Sequence, residues 1–153
     1  MEFRQARSDD VQIIQQLNML LFEKEVADYD ETLNPSWSVS PEANEYFLKR
    51  IKEGSCFVAV EGNEVVGYIA GSIVKAEPFR HDVTLAEAEN MFVLPEYRGK
   101  GVGTKLFELL IGWCRKNGAD RISTVASAGN DRAIALYRRL GFKDYTLTLE
   151  KEL

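Results

Sequence analysis

Few side chains in this sequence suit covalent or metal chemistry, and that scarcity directs attention to its backbone and its oxygen-bearing residues. The single histidine, His81, sits in a polar loop between Arg80 and Asp82, which leaves histidine-based triads and metal clusters almost nothing to be built from. Cys56 and Cys114 lie in the apolar contexts Cys-Phe-Val-Ala-Val and Ile-Gly-Trp-Cys, without pairing or metal-ligand spacing. Both read as buried thiols with no activating neighbour. Any chemistry must therefore use carboxylates, tyrosine or backbone groups.

The backbone groups are most conspicuous at Arg98-Gly99-Lys100-Gly101-Val102-Gly103, between a strand-like run and an amphipathic helix starting near Thr104. Three glycines in five positions keep side chains off the backbone, so consecutive N–H groups can surround a phosphate-bearing ligand. The helix start adds unpaired amides and the positive end of its dipole. Arg98, Lys100 and Lys105 add local positive charge to a chain of net charge −5. The spacing fits neither familiar glycine motif. A dinucleotide fingerprint counted from Gly99 needs a small residue where Thr104 stands, and counted from Gly101 it meets Leu106. A nucleoside-triphosphate loop needs Ser or Thr after its Gly-Lys, and Lys100 is followed by Gly101. An anion cradle for a different ligand and an ordinary glycine-rich turn are the two readings left.

A second constellation is Asn130-Asp131-Arg132-Ala133-Ile134-Ala135-Leu136-Tyr137, closing with Arg138-Arg139-Leu140-Gly141-Phe142. Two helical turns separate Asn130 from Tyr137, so an amide and a phenol share one side with small Ala133 between them. The competing reading is structural: Asn130 as an N-cap, Tyr137 packed beneath Phe142 at the helix end. Glu87 and Glu89 fall in a strand over residues 86–93, where alternation predicts that they share a face with Met91 and Val93. Either can equally be a solvated strand residue.

The elements that must position these groups follow from periodicity and punctuation. Residues 3–6 read as a short strand, and Ser8 or Asp9 caps a helix towards Phe22 through Val11, Ile14, Leu17 and Leu21. Pro41 opens a second helix with Phe47, Leu48 and Ile51 on its apolar side, closed by Gly54. Residues 56–60 and 65–74 form a hairpin around Glu61-Gly62-Asn63, and 84–93 supplies another strand. A helix over 104–117 carries Leu106, Phe107, Leu110, Ile111, Trp113 and Cys114 and stops at Gly118. A strand at 121–126, a helix at 130–140 and an alternating strand at 142–149 complete the pattern. Strands crowd the first two thirds and then alternate with helices, as in an α/β layer fold with a mixed sheet. No repeat, linker or low-complexity tract divides it. The acidic balance argues against nucleic-acid or anionic-membrane partners. No apolar run suits export or membrane insertion, and two unpaired thiols suit a reducing cytoplasm.

Together the two constellations resemble the GNAT superfamily of acyl-CoA-dependent N-acyltransferases. The family pattern of Gln or Arg, two residues, Gly, one residue, then Gly or Ala is met by Arg98, Gly101 and Gly103, after the typical Phe92-Val93-Leu94-Pro95-Glu96-Tyr97. Its later Asn, followed by a helix ending Tyr-x-x-x-Gly-Phe, is met by Asn130, Tyr137, Gly141 and Phe142. The resemblance covers essentially the whole chain and is weakest between Asp28 and Tyr46. It implies a single-domain α/β GNAT fold over residues 1–153: a mixed, mostly antiparallel sheet of about six to seven strands flanked by helices, with a splayed pair of parallel central strands. It also implies acetyl-CoA as co-substrate, without a metal. Met91, Phe92 and Val93 would then offer backbone groups to the pantetheine arm, and Arg98, Gly99, Lys100, Gly101, Val102, Gly103 and Thr104 would cradle the pyrophosphate. Asn130 and Ala133 would bind near the pantetheine, Arg132 would lie within reach of the phosphates, and Tyr137 would lie close to the thioester sulfur.

The reaction so implied is direct attack of a neutral amine on acetyl-CoA in a ternary complex, through a tetrahedral oxyanion, with expulsion of a thiolate. Glu87 sits where some members place the general base, and Glu89 is the adjacent alternative. A backbone N–H near Val93 would serve the oxyanion. Tyr137 would protonate the thiolate, a transfer from a phenol near pKa 10 to a thiol near 8.5 that is uphill by roughly 2 kcal/mol. For the acceptor, Glu25, Asp28, Asp30 and Glu31 are interleaved with Tyr29, Trp37 and Tyr46; such groups hold a cationic amine, or simply form a solvated acidic face. The expected function is N-acetylation of a small cationic amine. A protein N-terminal or lysine acetyltransferase and a non-catalytic acetyl-CoA-binding module are the alternatives, and a homodimer enters from family habit only.

Overall fold

Turn and cap chemistry divides the chain into five strands and four main helices. The computed structural model describes residues 1–153. In chain order the elements are β1 (Glu2–Gln5), α1 (Val11–Asp28), α2 (Pro41–Glu53), β2 (Cys56–Glu61), β3 (Glu64–Val74), β4 (Leu85–Val93), α3 (Val102–Lys116), β5 (Arg121–Thr124) and α4 (Asp131–Arg139). The strands form one sheet in the order β1-β2-β3-β4-β5, antiparallel throughout except that β4 and β5 run parallel. On one face Ile14, Leu17 and Phe47 of α1 and α2 pack against Val58, Tyr68 and Phe92. On the other, Leu106, Phe107 and Leu110 of α3 pack against Val66, Ile69, Ala86, Ala88 and Val93, with Tyr137 of α4 joining that layer. No helix is long and apolar enough to cross a membrane.

The expected caps form. Ser40 accepts from the Ala43 N–H, Pro41 opens α2, and Gly54 closes it at φ 75°. Three boundaries differ from the sequence reading for identifiable reasons. Helix α1 runs to Asp28 rather than stopping near Phe22, because Glu23 to Asp28 are mostly good helix formers and Lys24 reaches Asp28 one turn on, at 2.7 Å. Helix α3 starts at Val102, not near Thr104, because Gly101 takes the N-cap position in a left-handed conformation. Strand β5 ends at Thr124 instead of residue 126, where its pairing with β4 stops. Residues 142–149, read as a strand, are not in one, and every residue from 143 to 153 is exposed. The sheet therefore has five strands in place of six to seven.

One irregularity in β4 matters for the site. Ala70 pairs with Asn90 but Gly71 pairs with Ala88, which leaves Glu89 in a β-bulge. The bulge resets which way side chains face. Ala86 and Ala88 point towards α3, and so do Met91 and Val93 beyond the bulge, whereas Glu89 and Asn90 turn to the α1 and α2 side, where both bond Tyr46. The expectation that Glu87 and Glu89 share a face with Met91 and Val93 is thereby corrected, since strict alternation fails at an extra residue. Gly71 is required here: a Cβ on it would lie 2.6 Å from the Glu87 carbonyl oxygen and 2.9 Å from a Leu110 methyl. Gly71→Ala is expected to cost about 1–3 kcal/mol by overpacking, seen as a lower denaturant midpoint.

Candidate active site

The parallel pair opens where its register ends. Pairing of β4 with β5 stops at Ala88 and Thr124, while β4 continues to Val93, so the far half of β4 has one free edge. The backbone direction along that edge can be read from its contacts. The Leu94 N–H donates to the Val66 carbonyl at 2.9 Å, and the Phe92 carbonyl lies 3.0 Å from the position of a Cβ on Gly67. Both therefore turn towards β3, and alternation leaves the main-chain groups of Met91 and Val93 on the open edge. The Val93 carbonyl is occupied by Arg98 Nε at 2.7 Å. Of the three residues expected to offer backbone groups, Met91 and Val93 are placed to do so. Phe92 is not; its ring is buried in the α1 and α2 layer beneath the Arg98 guanidinium, 4.9 Å away.

At the end of this edge the glycine loop forms a cradle. Gly99 and Gly101 adopt φ 75° and 81°, and the space above both is open. No side chain caps α3, and its first backbone bond runs from the Lys105 N–H to the Gly101 carbonyl at 3.0 Å. The N–H groups of Val102, Gly103 and Thr104 thus lack intrahelical acceptors. Val102 contributes only that group, because its side chain is buried in the core. Lys100 is exposed, with its amine 5.6 Å from the Tyr97 ring centre. Burial, and then the charge of nearby Arg132, pull the Arg98 guanidinium below its ordinary pKa, with only Glu96 opposing. Two cations held together beside free amides make a place where an anion is stabilised.

Across the opening, α4 carries the second constellation. The Asn130 side-chain oxygen accepts from the Ala133 N–H at 3.2 Å, so the residue does cap the helix, and its amide nitrogen points to Glu25 at 3.5 Å. Tyr137 meets Phe107 edge-on at 5.3 Å and Phe142 at 6.1 Å. Burial pushes its phenol above the ordinary value of 10; the Thr124 hydroxyl opposes this, and the charge of Glu25 adds to it. At neutral pH the phenol is a protonated donor. The ring's packing against Phe107 and Phe142 is what fixes the hydroxyl near Thr124.

Glu25 and Ser127 form a contact that local sequence signals did not reveal. The Ser127 hydroxyl donates to Glu25 at 2.6 Å, and Tyr29 packs beside Gly129. The end of α1 thereby closes over the loop between β5 and α4. Glu25 was legible only as one acid in an acidic stretch, and Ser127 carried no signal, since the partners lie far apart in the chain.

The two strand glutamates diverge. Glu89 accepts from Arg50 Nε and Nη2, both at 2.7 Å, from the Tyr46 hydroxyl at 2.5 Å and from Ser72 at 2.7 Å. Burial alone would raise its pKa, but the donors from Arg50, Tyr46 and Ser72 outweigh it and hold the carboxyl below 4.5. Glu87 is half-buried and cross-strand from Ser72 and Ser123. Because the folded state depresses the Glu89 pKa, its contribution to stability is fully present above about pH 4.5 and is lost as pH falls through the folded value. Arg50→Ala is expected to lower stability at neutral pH by about 2 kcal/mol, the residual exposure of both side chains reducing the cost of a fully buried break. It should also flatten the acid limb of a stability–pH titration. The thiols are inert: burial pushes Cys56 up to about 12 and Cys114 up to about 11.

Known proteins resemble this chain in sequence and in fold. Residues 19–142 match the model of the Acetyltransferase (GNAT) family. An N-alpha-acetyltransferase of Saccharolobus solfataricus is 31% identical over 149 residues, 92% of this chain and 78% of that protein. The thialysine N-epsilon-acetyltransferase of Mus musculus is 30% identical over 86 residues, 56% of this chain and 49% of that protein. An uncharacterized N-acetyltransferase of Methanocaldococcus jannaschii is 31% identical over 105 residues, 65% of this chain, and the match spans less than half of that protein's length, 43%. Among solved structures, a mutant of the BH1408 protein from Bacillus halodurans superposes with a TM-score of 0.79 at 24% identity, covering 100% of this chain and 99% of that one. An aminoglycoside N-acetyltransferase in complex with CoA superposes at 0.76 with 17% identity, covering 99% and 93%.

Proposed function

Because the chain belongs to the acetyltransferase (GNAT) family, we propose that residues 1–153 act as one domain that moves the acetyl group of acetyl-CoA to the primary amine of a small cationic molecule, by direct attack. The observation that carries the donor assignment is the cradle: two left-handed glycines, uncapped α3 amides and the Arg98 and Arg132 pair at the end of a free strand edge. The diphosphate of the donor would rest there. Met91 and Val93 would pair with the arm, and Asn130 and Ala133 would border it.

Tyr137 donates its proton to the departing sulfur. Its raised pKa makes that transfer costlier than the roughly 2 kcal/mol of an unperturbed phenol, which is still small beside a chemical barrier. Glu87 accepts the proton of the incoming amine, directly or through water. Glu89, with every donor around it engaged, is a positioning residue: it fixes Tyr46, which in turn accepts from Asn90 at 2.9 Å. Glu25 lies close enough to influence the Tyr137 phenol, and it sets a carboxylate beside the reacting edge, as a cationic amine requires. Trp37, stacked on Phe22 at 6.0 Å, gives that side an aromatic wall. Glu87→Gln is expected to lower kcat about 100-fold with little change in the KM for acetyl-CoA, measured by thiol release.

The thialysine and aminoglycoside acetyltransferases among the similar proteins support a small amine. The N-alpha-acetyltransferase relative favours a second reading, a protein N-terminus. Thiol release from acetyl-CoA against polyamines, amino acids, aminoglycosides and peptides separates them. Fastest turnover with a small cationic amine is expected. Turnover confined to peptides would move the assignment to the second reading, and saturable binding without turnover would leave a binding module.

A further inference from the structure

Strand β3 outruns its partner on one edge. Its pairing with β2 ends at Cys56 and Ala70, and one further bond runs from the Gly71 N–H to the Ser55 carbonyl at 3.1 Å. The chain before Ser55 is α2, which Gly54 closes at φ 75°, and the last carbonyl of that helix, on Glu53, accepts from the Trp113 indole N–H at 3.2 Å. No strand residue therefore stands opposite Ile73, although β3 continues to Val74 and stays paired with β4 on its other side. Alternation shows which main-chain groups face the bare stretch. The Val66 carbonyl accepts from Leu94 on the β4 side, and the Gly71 N–H turns to the β2 side, so the N–H and carbonyl of Ile73 point out of the sheet without a partner. This edge lies at the end of the sheet away from the glycine loop, since Gly67 is opposite Val93 and Val74 is opposite Leu85.

The bare edge is the floor of a cleft of about 510 Å³ between the ends of α2 and α3, a size that accommodates a ligand. Its two walls differ. On the α2 side stand Lys49, Arg50 and Ser72, the last donating to Glu89. On the α3 side stand Trp113 and Ile73, whose side chain shares the face on which Gly71 meets Leu110 and is 38% exposed. The charges are also uneven. Glu53 and Glu89 are both turned to Arg50, at 3.1 and 2.7 Å, whereas Lys49 and Lys75 are exposed in the same cleft and pair with no acid. In a chain of net charge −5, two free ammonium groups flank the one stretch of β3 that offers backbone groups.

We propose that this cleft docks an extended acidic segment of another protein, which adds a strand to the β3 edge. Main-chain bonds to Ile73 would hold the segment, and its alternate side chains would meet the two walls: carboxylates towards Lys49, apolar groups against Ile73 and Trp113. Lysine beside a bare edge guards it against indiscriminate pairing, and here that guard sets the choice of partner. The same edge of a second copy would bring Lys75 against like charge. An acidic segment is attracted by both lysines.

The peptide acetyl-Glu-Val-Glu-Val-Glu-Val-amide serves as the probe. Calorimetric titration at low salt is expected to show saturable binding that weakens as salt is added. Amide exchange followed by nuclear magnetic resonance should show the Ile73 N–H slowed at least about tenfold at saturation, because strand pairing occupies it. The double variant Lys49→Gln with Lys75→Glu changes two exposed side chains, so its denaturant midpoint should match that of the wild type. Its affinity for the peptide should fall about tenfold or more, as one attraction is lost and the other becomes a repulsion. The cationic counterpart acetyl-Lys-Val-Lys-Val-Lys-Val-amide should not bind. Absence of saturable binding by the acidic peptide, binding that leaves Ile73 exchange unchanged, equal affinity in the double variant, or equal affinity for the cationic peptide would each overturn the docking site.

Discussion

Gly101→Glu is expected to weaken acetyl-CoA binding by about 100-fold or more. Two costs combine. The residue sits at φ 81°, where a side chain costs roughly 1–2 kcal/mol, and the loop would relax at the expense of the amide alignment that makes the cradle. The larger cost is electrostatic. The open space above Gly101 is filled by a carboxylate that takes the α3 amides for itself and repels a diphosphate. Gly101→Ala separates the two, since it imposes the strain without the charge; its loss should stay within about tenfold, matching roughly 1 kcal/mol of strain. Titration calorimetry with acetyl-CoA reads both, with circular dichroism to show that α3 persists. Equal weakening by Ala and Glu would mean that loop shape alone matters and that the site does not hold an anion.

Tyr137→Phe is expected to lower kcat by about 100- to 1,000-fold, the range for a positioned general acid, while the KM for acetyl-CoA changes little. The ring is caged by Phe107 and Phe142, and phenylalanine keeps that cage. The hydroxyl's neighbour Thr124 retains its own bond to the Ala88 carbonyl at 3.3 Å. The pH dependence adds a signature. A proton donor is active while protonated, and burial sets this phenol above 10, so its contribution to kcat is intact at neutral pH and is lost as pH rises through that raised value. The alkaline decline should vanish in Tyr137→Phe. Unchanged kcat across active acceptors would remove Tyr137 from the chemistry and leave it a packing residue.

The parts of the site that could be read from the sequence are those whose cause is local. Two glycines with nothing but backbone to offer, an Asn at a helix start, and a Tyr two turns later each do in the fold what their own neighbours dictate. The parts that could not be read depend on register or on distant partners. Alternation put Glu89 beside Met91, but the register of β4 is set across the sheet by Gly71, and the bulge that follows delivers Glu89 to Arg50 on α2 instead. The junction of Glu25 with Ser127 exists because α1 runs a turn and a half further than its apolar stripe requires. The family resemblance assigned Phe92 to the ligand edge; the parity of antiparallel pairing turns its carbonyl to β3. The segment at 142–149 has strand propensity in full, and propensity alone does not supply an edge to pair with.

In the proposed function, the loop at residues 98–104 recognises the donor through its diphosphate. The wild-type protein can be titrated with acetyl-CoA and with S-acetylpantetheine, which keeps the thioester arm and lacks the diphosphate with its adenosine. Acetyl-CoA is expected to bind at least about 100-fold more tightly, the difference of roughly 3 kcal/mol that several charge-assisted hydrogen bonds at one anion supply. Equal affinity for the two ligands, or no binding of acetyl-CoA, would contradict it.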